Sequence, residues 1–174
     1  MNQRASGILL HLTSLSNPYP IGDLGPAATA FADFMVDSGQ RWWQMLPIGP
    51  AGEDNSPYQP LSAFAGNPLL ISPDRLVEQG ILGRRDIELP ISGCEEKVNY
   101  PAATRLKLCW LKRAFEHFKN NGQDGRQSEL DALAQAESFW LEDFSLFSAI
   151  QGSEDTSDWT QWNQELRGAQ HETR

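Results

Sequence analysis

The chain opens on a short apolar run, Gly7-Ile8-Leu9-Leu10-His11-Leu12, followed by the turn-rich stretch Thr13-Ser14-Leu15-Ser16-Asn17-Pro18-Tyr19-Pro20. A short apolar run ahead of a loop and a helix reads as a buried strand of a parallel sheet. The helix is marked by Ala27, Ala30, Phe31, Phe34 and Met35 at helical spacing. Gly25-Pro26 places proline at the first helical position, where its missing N–H costs nothing, and Gly39 supplies the stop. Arg41-Trp42-Trp43-Gln44-Met45-Leu46-Pro47 predicts a second strand. Residues 7–47 thus form one strand–helix–strand unit of the kind that builds parallel sheets.

Residues 48–68 are rich in Gly, Pro, Asn and Ser, including Asn55-Ser56-Pro57-Tyr58-Gln59-Pro60 and Ala65-Gly66-Asn67-Pro68. Loops above about 12–15 residues are usually functional or disordered, and the apolar and aromatic content here favours order. Beyond the apolar Leu69-Leu70-Ile71, Ser72-Pro73 reads as N-cap and first residue of a short helix through Gln79, stopped by Gly80. Residues 81–100 look irregular. Pro101 opens a helix with Ala103, Leu106, Trp110, Ala114 and Phe118 on one face, ending at Asn120-Asn121-Gly122. Leu130, Leu133, Ala136, Trp140, Phe144 and Phe147 predict one longer amphipathic helix, and Trp159, Trp162 and Leu166 a last one.

The pattern therefore begins as βαβ and then carries no strand. Two strands alone leave both edges and faces of a parallel sheet open. Either the helices cover that sheet in a small α/β fold, or these residues are the first part of a larger one. Length bears on the choice: 174 residues suit an ordinary domain, whereas a complete (β/α)8 barrel needs about 200 or more. A composition of 40% hydrophobic and 21% charged residues is that of a globular chain. Lys+Arg total 14 against 23 Asp+Glu, a net charge of −9. That balance argues against nucleic acid and anionic membranes, which need clustered cations. Cys94 and Cys109 form no disulfide framework, and no apolar run approaches a membrane span or a signal-peptide core. A cytoplasmic location is the expectation.

Ligands of parallel-strand folds sit at the carboxyl ends of the strands. Here those ends are His11 to Ser14 and the loop from Pro47 to Asn67. The loop displays Ser56, Tyr58, Gln59 and Asn67. Tyr58 combines a flat apolar face with a hydroxyl, the chemistry that stacks on and hydrogen-bonds to a sugar ring. The competing reading is that Tyr58 and Ser56 only stabilise their own turn. His11, beside an apolar strand, reads most simply as a satisfied structural histidine. His11, His117 and His171 make no cluster with the cysteines at metal-ligand spacing, so no metal is expected. The sequence carries no GxGxxG, Walker or GxSxG motif, and no cofactor is expected. Glu142-Asp143 read as a solvated or capping pair. Glu53-Asp54 are the only carboxylates near the candidate site and carry no catalytic assignment. The acidic runs Glu95-Glu96 and Ser153-Glu154-Asp155 read as solvating surface.

Several blocks are similar to the start of the 4-α-glucanotransferases, the amylomaltase or disproportionating enzyme family (glycoside hydrolase family 77). They are Gly7 to Leu15 with Ile21-Gly22-Asp23-Leu24-Gly25, Trp43 to Pro50, and Ser56-Pro57-Tyr58-Gln59 with Ser62 to Pro68. Trp140-Leu141-Glu142-Asp143-Phe144 and Trp159 to Arg167 match the same family's helical region in order. The resemblance implies a (β/α)8 barrel with helical insertions. Residues 1–71, with substrate loop 48–68, would begin the barrel, and residues 72–174 would form a mostly helical insertion subdomain. The barrel would be incomplete in this chain. The implied activity is transfer of an α-1,4-glucan segment between maltooligosaccharides by retaining double displacement, with the catalytic carboxylates beyond residue 174. By resemblance Ser56 and Tyr58 contact the sugar, and this chain holds no catalytic residue of its own.

Three positions depart from the family pattern: Glu53 stands where an aromatic is frequent, Asn55 where Asp commonly precedes the Ser, and Asn163 where Pro usually follows Trp. The first two put a secondary glucan contact from that loop in doubt. The alternative function is a non-catalytic α-glucan-binding module that reuses the Ser56/Tyr58 loop. A helical interaction protein built on residues 101–167 rests only on amphipathic faces that would serve equally for internal packing.

Overall fold

The computed structural model describes residues 4–52, 54–88, 97–121, 125–154 and 158–168. Glu53, Cys94, Glu95, Glu96, Gly122, Asp155 and His171, which carry expectations stated above, lie outside the described residues. The chain packs as two units, residues 1–61 with 66–122, and residues 62–65 with 123–174.

The first unit is built on two parallel strands, β1 (Gly7–Leu9) and β2 (Trp42–Gln44), joined by helix α1 (Pro26–Asp37). Gly7 pairs with Trp42, Ile8 with Trp43 and Leu9 with Gln44. A side chain at Gly7 would collide with the backbone oxygen of Trp42, so the closeness of this pairing requires glycine. Both strands are shorter than the apolar runs predict. After β1 the chain tightens into a 3-10 turn at Leu12–Ser14, which buries Leu12 and Thr13. Leu12, Leu15 and Leu70 form a core against Phe31 of α1 and Trp43 of β2. The Phe31 and Trp43 rings meet edge to face with centroids 4.8 Å apart. Full burial of a leucine such as Leu12, 1% exposed, contributes roughly 1.5–3 kcal/mol.

The predicted caps are present. Pro26 opens α1 behind Gly25. Ser72 Oγ accepts from the backbone N–H of Arg75 at the start of α2 (Pro73–Glu78). Gly39 and Gly80, both at φ 69°, follow the ends of α1 and α2 in the left-handed region that favours glycine. Helix α3 (Tyr100–Asn121) buries Ala103, Trp110 and Ala114. Trp110 and Ala114 join Leu82 and Ile87 in a second core, lined by Leu76, Val77 and Tyr19. The buried stripe of α3 also contains Lys107, 2% exposed, which hydrophobic periodicity passes over.

In the second unit, the single long helix expected from Leu130 to Phe147 is two helices, α4 (Arg126–Ala136) and α5 (Leu141–Gln151). The break has a local cause: Trp140 is not helical, and its indole Nε1 donates to the Glu137 carboxylate at 2.5 Å. Trp140 also stacks beside Phe64, with centroids 6.3 Å apart, and meets Phe144 at 6.2 Å. Glu142 and Asp143 sit exposed in the first turn of α5, where carboxylates suit the positive end of the helix dipole. Helix α6 (Gln164–Gly168) is capped by Asn163, whose Oδ1 accepts from the backbone of Glu165. No described helix is long and apolar enough to cross a membrane.

Candidate functional site

A cavity of about 530 Å³ opens in the first unit at the carboxyl ends of β1 and β2. One wall is His11, Thr13 and Ser14, the turn that leaves β1. A second is the start of the long loop, from Leu46 and Pro47 to Asn55 and Pro57. Asn67 and Leu69 form the third, and Tyr100, Thr104 and Leu108 of α3 the fourth. The described residues that line it include hydroxyls, amides, an imidazole and apolar surface, but no charged side chain. Such a surface suits a neutral, polyhydroxylated ligand, since no buried charge needs a counter-ion.

The loop is held in register by its own backbone. Asn67 N–H donates to Ile48 at 3.2 Å and Leu61 N–H to Pro50 at 2.8 Å, with a bridge between Ala51 and Pro60. At the tip, Asp54 Oδ1 accepts from the backbone N–H of Ser56 at 3.0 Å. Asn55 between them adopts φ 55°, a left-handed conformation that asparagine tolerates better than most residues. Asn55 and Pro57 face the cavity. Ser56 and Tyr58 alternate with them in sequence and are not among the described lining groups. Ser56 is half-buried, and Tyr58 is 71% exposed, holding its ring in solvent. Gln59 is exposed as well. Asn67 is divided: its amide oxygen caps the turn at Leu69 at 2.9 Å while the residue lines the cavity.

His11 departs from the satisfied structural histidine expected of it. It lines the cavity half-buried, and its Nδ1 is buried with no hydrogen-bond partner among the described residues. Burial pushes the imidazole below the ordinary histidine value. An orphaned buried nitrogen is costly unless a ligand or water completes it. The α3 wall of Tyr100, Thr104 and Leu108 is invisible to sequence reasoning, because only the tertiary fold packs that helix against the turn at Pro68–Leu70. The one available signal is that Thr104 and Leu108, one turn apart, fall off the apolar stripe.

Behind the cavity lies a buried ion pair. Lys107 Nζ donates to Asp23 Oδ2 at 2.5 Å and to the Ile71 carbonyl at 2.7 Å, with both charged side chains 2% exposed. Burial pushes Asp23 up and Lys107 down, and each partner's charge opposes the shift of the other. Tyr19, its ring 5.6 Å from Lys107 Nζ, donates its hydroxyl to Asp74 at 2.9 Å, and Asp74 pairs with Arg84. Among the described residues no group of His, Cys, Asp and Glu could hold a metal. Cys109 is exposed, and among the described residues no carboxylate lines the cavity.

The family model described as 4-alpha-glucanotransferase matches residues 10–174. A 4-alpha-glucanotransferase from Synechocystis is 42% identical over 166 residues, covering 95% of this chain and 33% of the relative. That of Thermus thermophilus is 41% identical, covering 94% and 32%. Among solved structures, amylomaltase from Streptococcus agalactiae in complex with acarbose superposes with a TM-score of 0.81 at 31% identity. It covers 97% of this chain and 36% of that one. The chain spans about a third of the length of the curated relatives it matches. With this match across nearly its whole length, the chain belongs to the 4-alpha-glucanotransferase family of glycoside hydrolase family 77.

Proposed function

We propose that these residues supply part of the glucan-binding surface of a 4-α-glucanotransferase, which moves an α-1,4-glucan segment from one maltooligosaccharide to another. The observation that carries the reading is the cavity at the carboxyl ends of parallel strands β1 and β2, whose described lining residues bear no charge. A retaining transfer needs one carboxylate as nucleophile and another as acid and then base. Since no described carboxylate lines the cavity, we assign those groups to the part of the relatives' length that this chain does not span. Ser56 and Tyr58, which flank the lining residues Asn55 and Pro57 without lining the cavity themselves, contact the sugar outside it, Tyr58 with an exposed ring free to stack.

In this reading residues 1–71 begin a (β/α)8 barrel with substrate loop 48–68, and residues 72–174 are a mostly helical insertion. Both described strands lie in the former segment, and among the described residues the latter holds only helices and turns. Leu9 and Trp42, 60% and 68% exposed, are apolar strand residues of the kind a completed barrel covers. A cytoplasmic location fits the cysteine usage.

The test is a titration of tryptophan fluorescence with maltoheptaose, alongside glucose release from maltotriose. Saturable binding that Tyr58→Ala abolishes, without glucose release by these residues alone, is expected. Glucose release by the 174-residue chain would overturn the assignment of the carboxylates. Absence of binding up to millimolar sugar would overturn the glucan site. In the alternative, a non-catalytic α-glucan-binding module, a longer protein carrying these residues would bind glucan and still release no glucose.

A further inference from the structure

We propose that Lys107 is a positioning residue for glucan binding, its buried ammonium clamping together three of the chain segments that wall the cavity. The proposal rests on the glucan reading of that cavity.

Burying an ammonium is costly even beside a carboxylate, and apolar pairs of similar volume often replace such ion pairs without loss of stability. The buried stripe of α3 already holds Ala103, Trp110 and Ala114, so packing alone calls for another apolar residue at 107. A charge adds direction instead, since an ammonium has three donors that fix the places of their acceptors.

Each bond of Lys107 ends on a different segment that carries residues of the cavity wall. Asp23, at 2.5 Å, lies near the end of the loop that leaves β1, and the start of that loop places His11 and Thr13 on the cavity. Within it Gly22 N–H donates to the Thr13 carbonyl at 3.0 Å, so holding Asp23 also holds the wall residue. The Ile71 carbonyl, at 2.7 Å, ends the segment whose Asn67 and Leu69 line the cavity. Leu24 N–H ties that segment to the same loop through the Leu70 carbonyl at 2.9 Å. Lys107 itself brings α3, whose Thr104 and Leu108 flank it in sequence and face the cavity. Successive residues turn about 100° around a helix, so Lys107 reaches beneath the loop while Leu108 faces the ligand space. One nitrogen thereby sets the spacing of the β1 loop, the 67–71 segment and α3.

The test uses Lys107→Met, with a stem of similar length and no charge, Lys107→Arg, and Ile87→Val as a stability control in the core away from the cavity. Two readouts are followed: maltoheptaose binding by tryptophan fluorescence, and titration of the His11 imidazole by NMR. Tyr100 is the other titratable side chain on the described walls. Folded Lys107→Met is expected to bind maltoheptaose at least tenfold more weakly, Lys107→Arg to recover part of the loss, and Ile87→Val to bind as wild type. His11 is expected to move up toward the ordinary histidine value as the walls separate and water enters. If wild type binds and folded Lys107→Met binds within twofold of it, the proposal is overturned while the glucan reading stands. If wild type does not bind maltoheptaose, the glucan reading fails and His11 decides the clamp: a raised value supports it and an unchanged one overturns it. Should Lys107→Met not fold, Asp23→Asn is judged on the same readouts.

Discussion

The indole Nε1–H of Trp43 donates to the carbonyl oxygen of Leu10 at 2.7 Å, linking the middle of β2 to the residue that follows β1. This bond supplements a ladder only three residues long on each strand. Trp43→Phe keeps the apolar contact with Phe31 but leaves the Leu10 carbonyl without this donor. We expect a loss of about 1 kcal/mol, within the usual range for one hydrogen bond. Trp43→Ala also removes the ring and is expected to cost about 3 kcal/mol or more. Urea denaturation of the two variants separates the hydrogen bond from the packing.

The Asp23–Lys107 pair predicts a strongly non-additive cycle in stability. Removing either partner alone strands the other, 2% exposed, and is expected to cost about 3–5 kcal/mol. Asp23→Leu combined with Lys107→Met removes both charges and is expected to recover most of that loss. Additive losses in denaturant melts would mean that neither charge depends on the other.

His11 makes stability pH-dependent with a defined sign. Burial lowers its native pKa below the unfolded value of 6.5. Between those values the unfolded chain binds more protons, so stability rises with pH through that window. The contribution is fully present above 6.5 and is lost as pH falls through the native value. His11→Gln is expected to flatten this part of the profile. Melts at pH steps across the acid side of neutrality, wild type against variant, measure it.

Asn55 at φ 55° sets a local rule for the loop tip. Asn55→Ala is expected to cost about 1 kcal/mol because a β-carbon disfavours the left-handed region, whereas Asn55→Gly is expected to be near neutral. Asn55→Val, β-branched, should be worse than alanine. Thermal melts rank the three.

Tyr58 separates binding from stability. At 71% exposure, Tyr58→Ala is expected to change stability by no more than about 0.5 kcal/mol. The same variant is expected to lose maltoheptaose binding. A variant that melts early and still binds would make Tyr58 a turn residue, the reading that competes with sugar contact.

Local pattern determined much of this protein. Pro26 and Pro73 at helix starts, Ser72 as a cap, and Gly39 and Gly80 as stops are read from neighbouring residues alone, because caps and breakers act over one turn. The parallel pairing followed from two apolar runs around one helix. The blocks from Gly7 to Pro68 also carried the family. Periodicity failed where side chains met polar or aromatic partners that apolar spacing does not register. The helix expected through Trp140 breaks where that indole bonds Glu137 and stacks on Phe64. Lys107 looks like a surface lysine until Asp23, distant in sequence, and the Ile71 carbonyl surround it. His11 looks satisfied until the fold leaves its Nδ1 buried without a partner among the described residues, on the cavity it shares with Tyr100, Thr104 and Leu108. The sequence by itself determined the caps, the strand–helix–strand unit and the family. Only the tertiary structure decided which groups share the cavity and which charges are buried, because both depend on contacts between residues that no local spacing brings together.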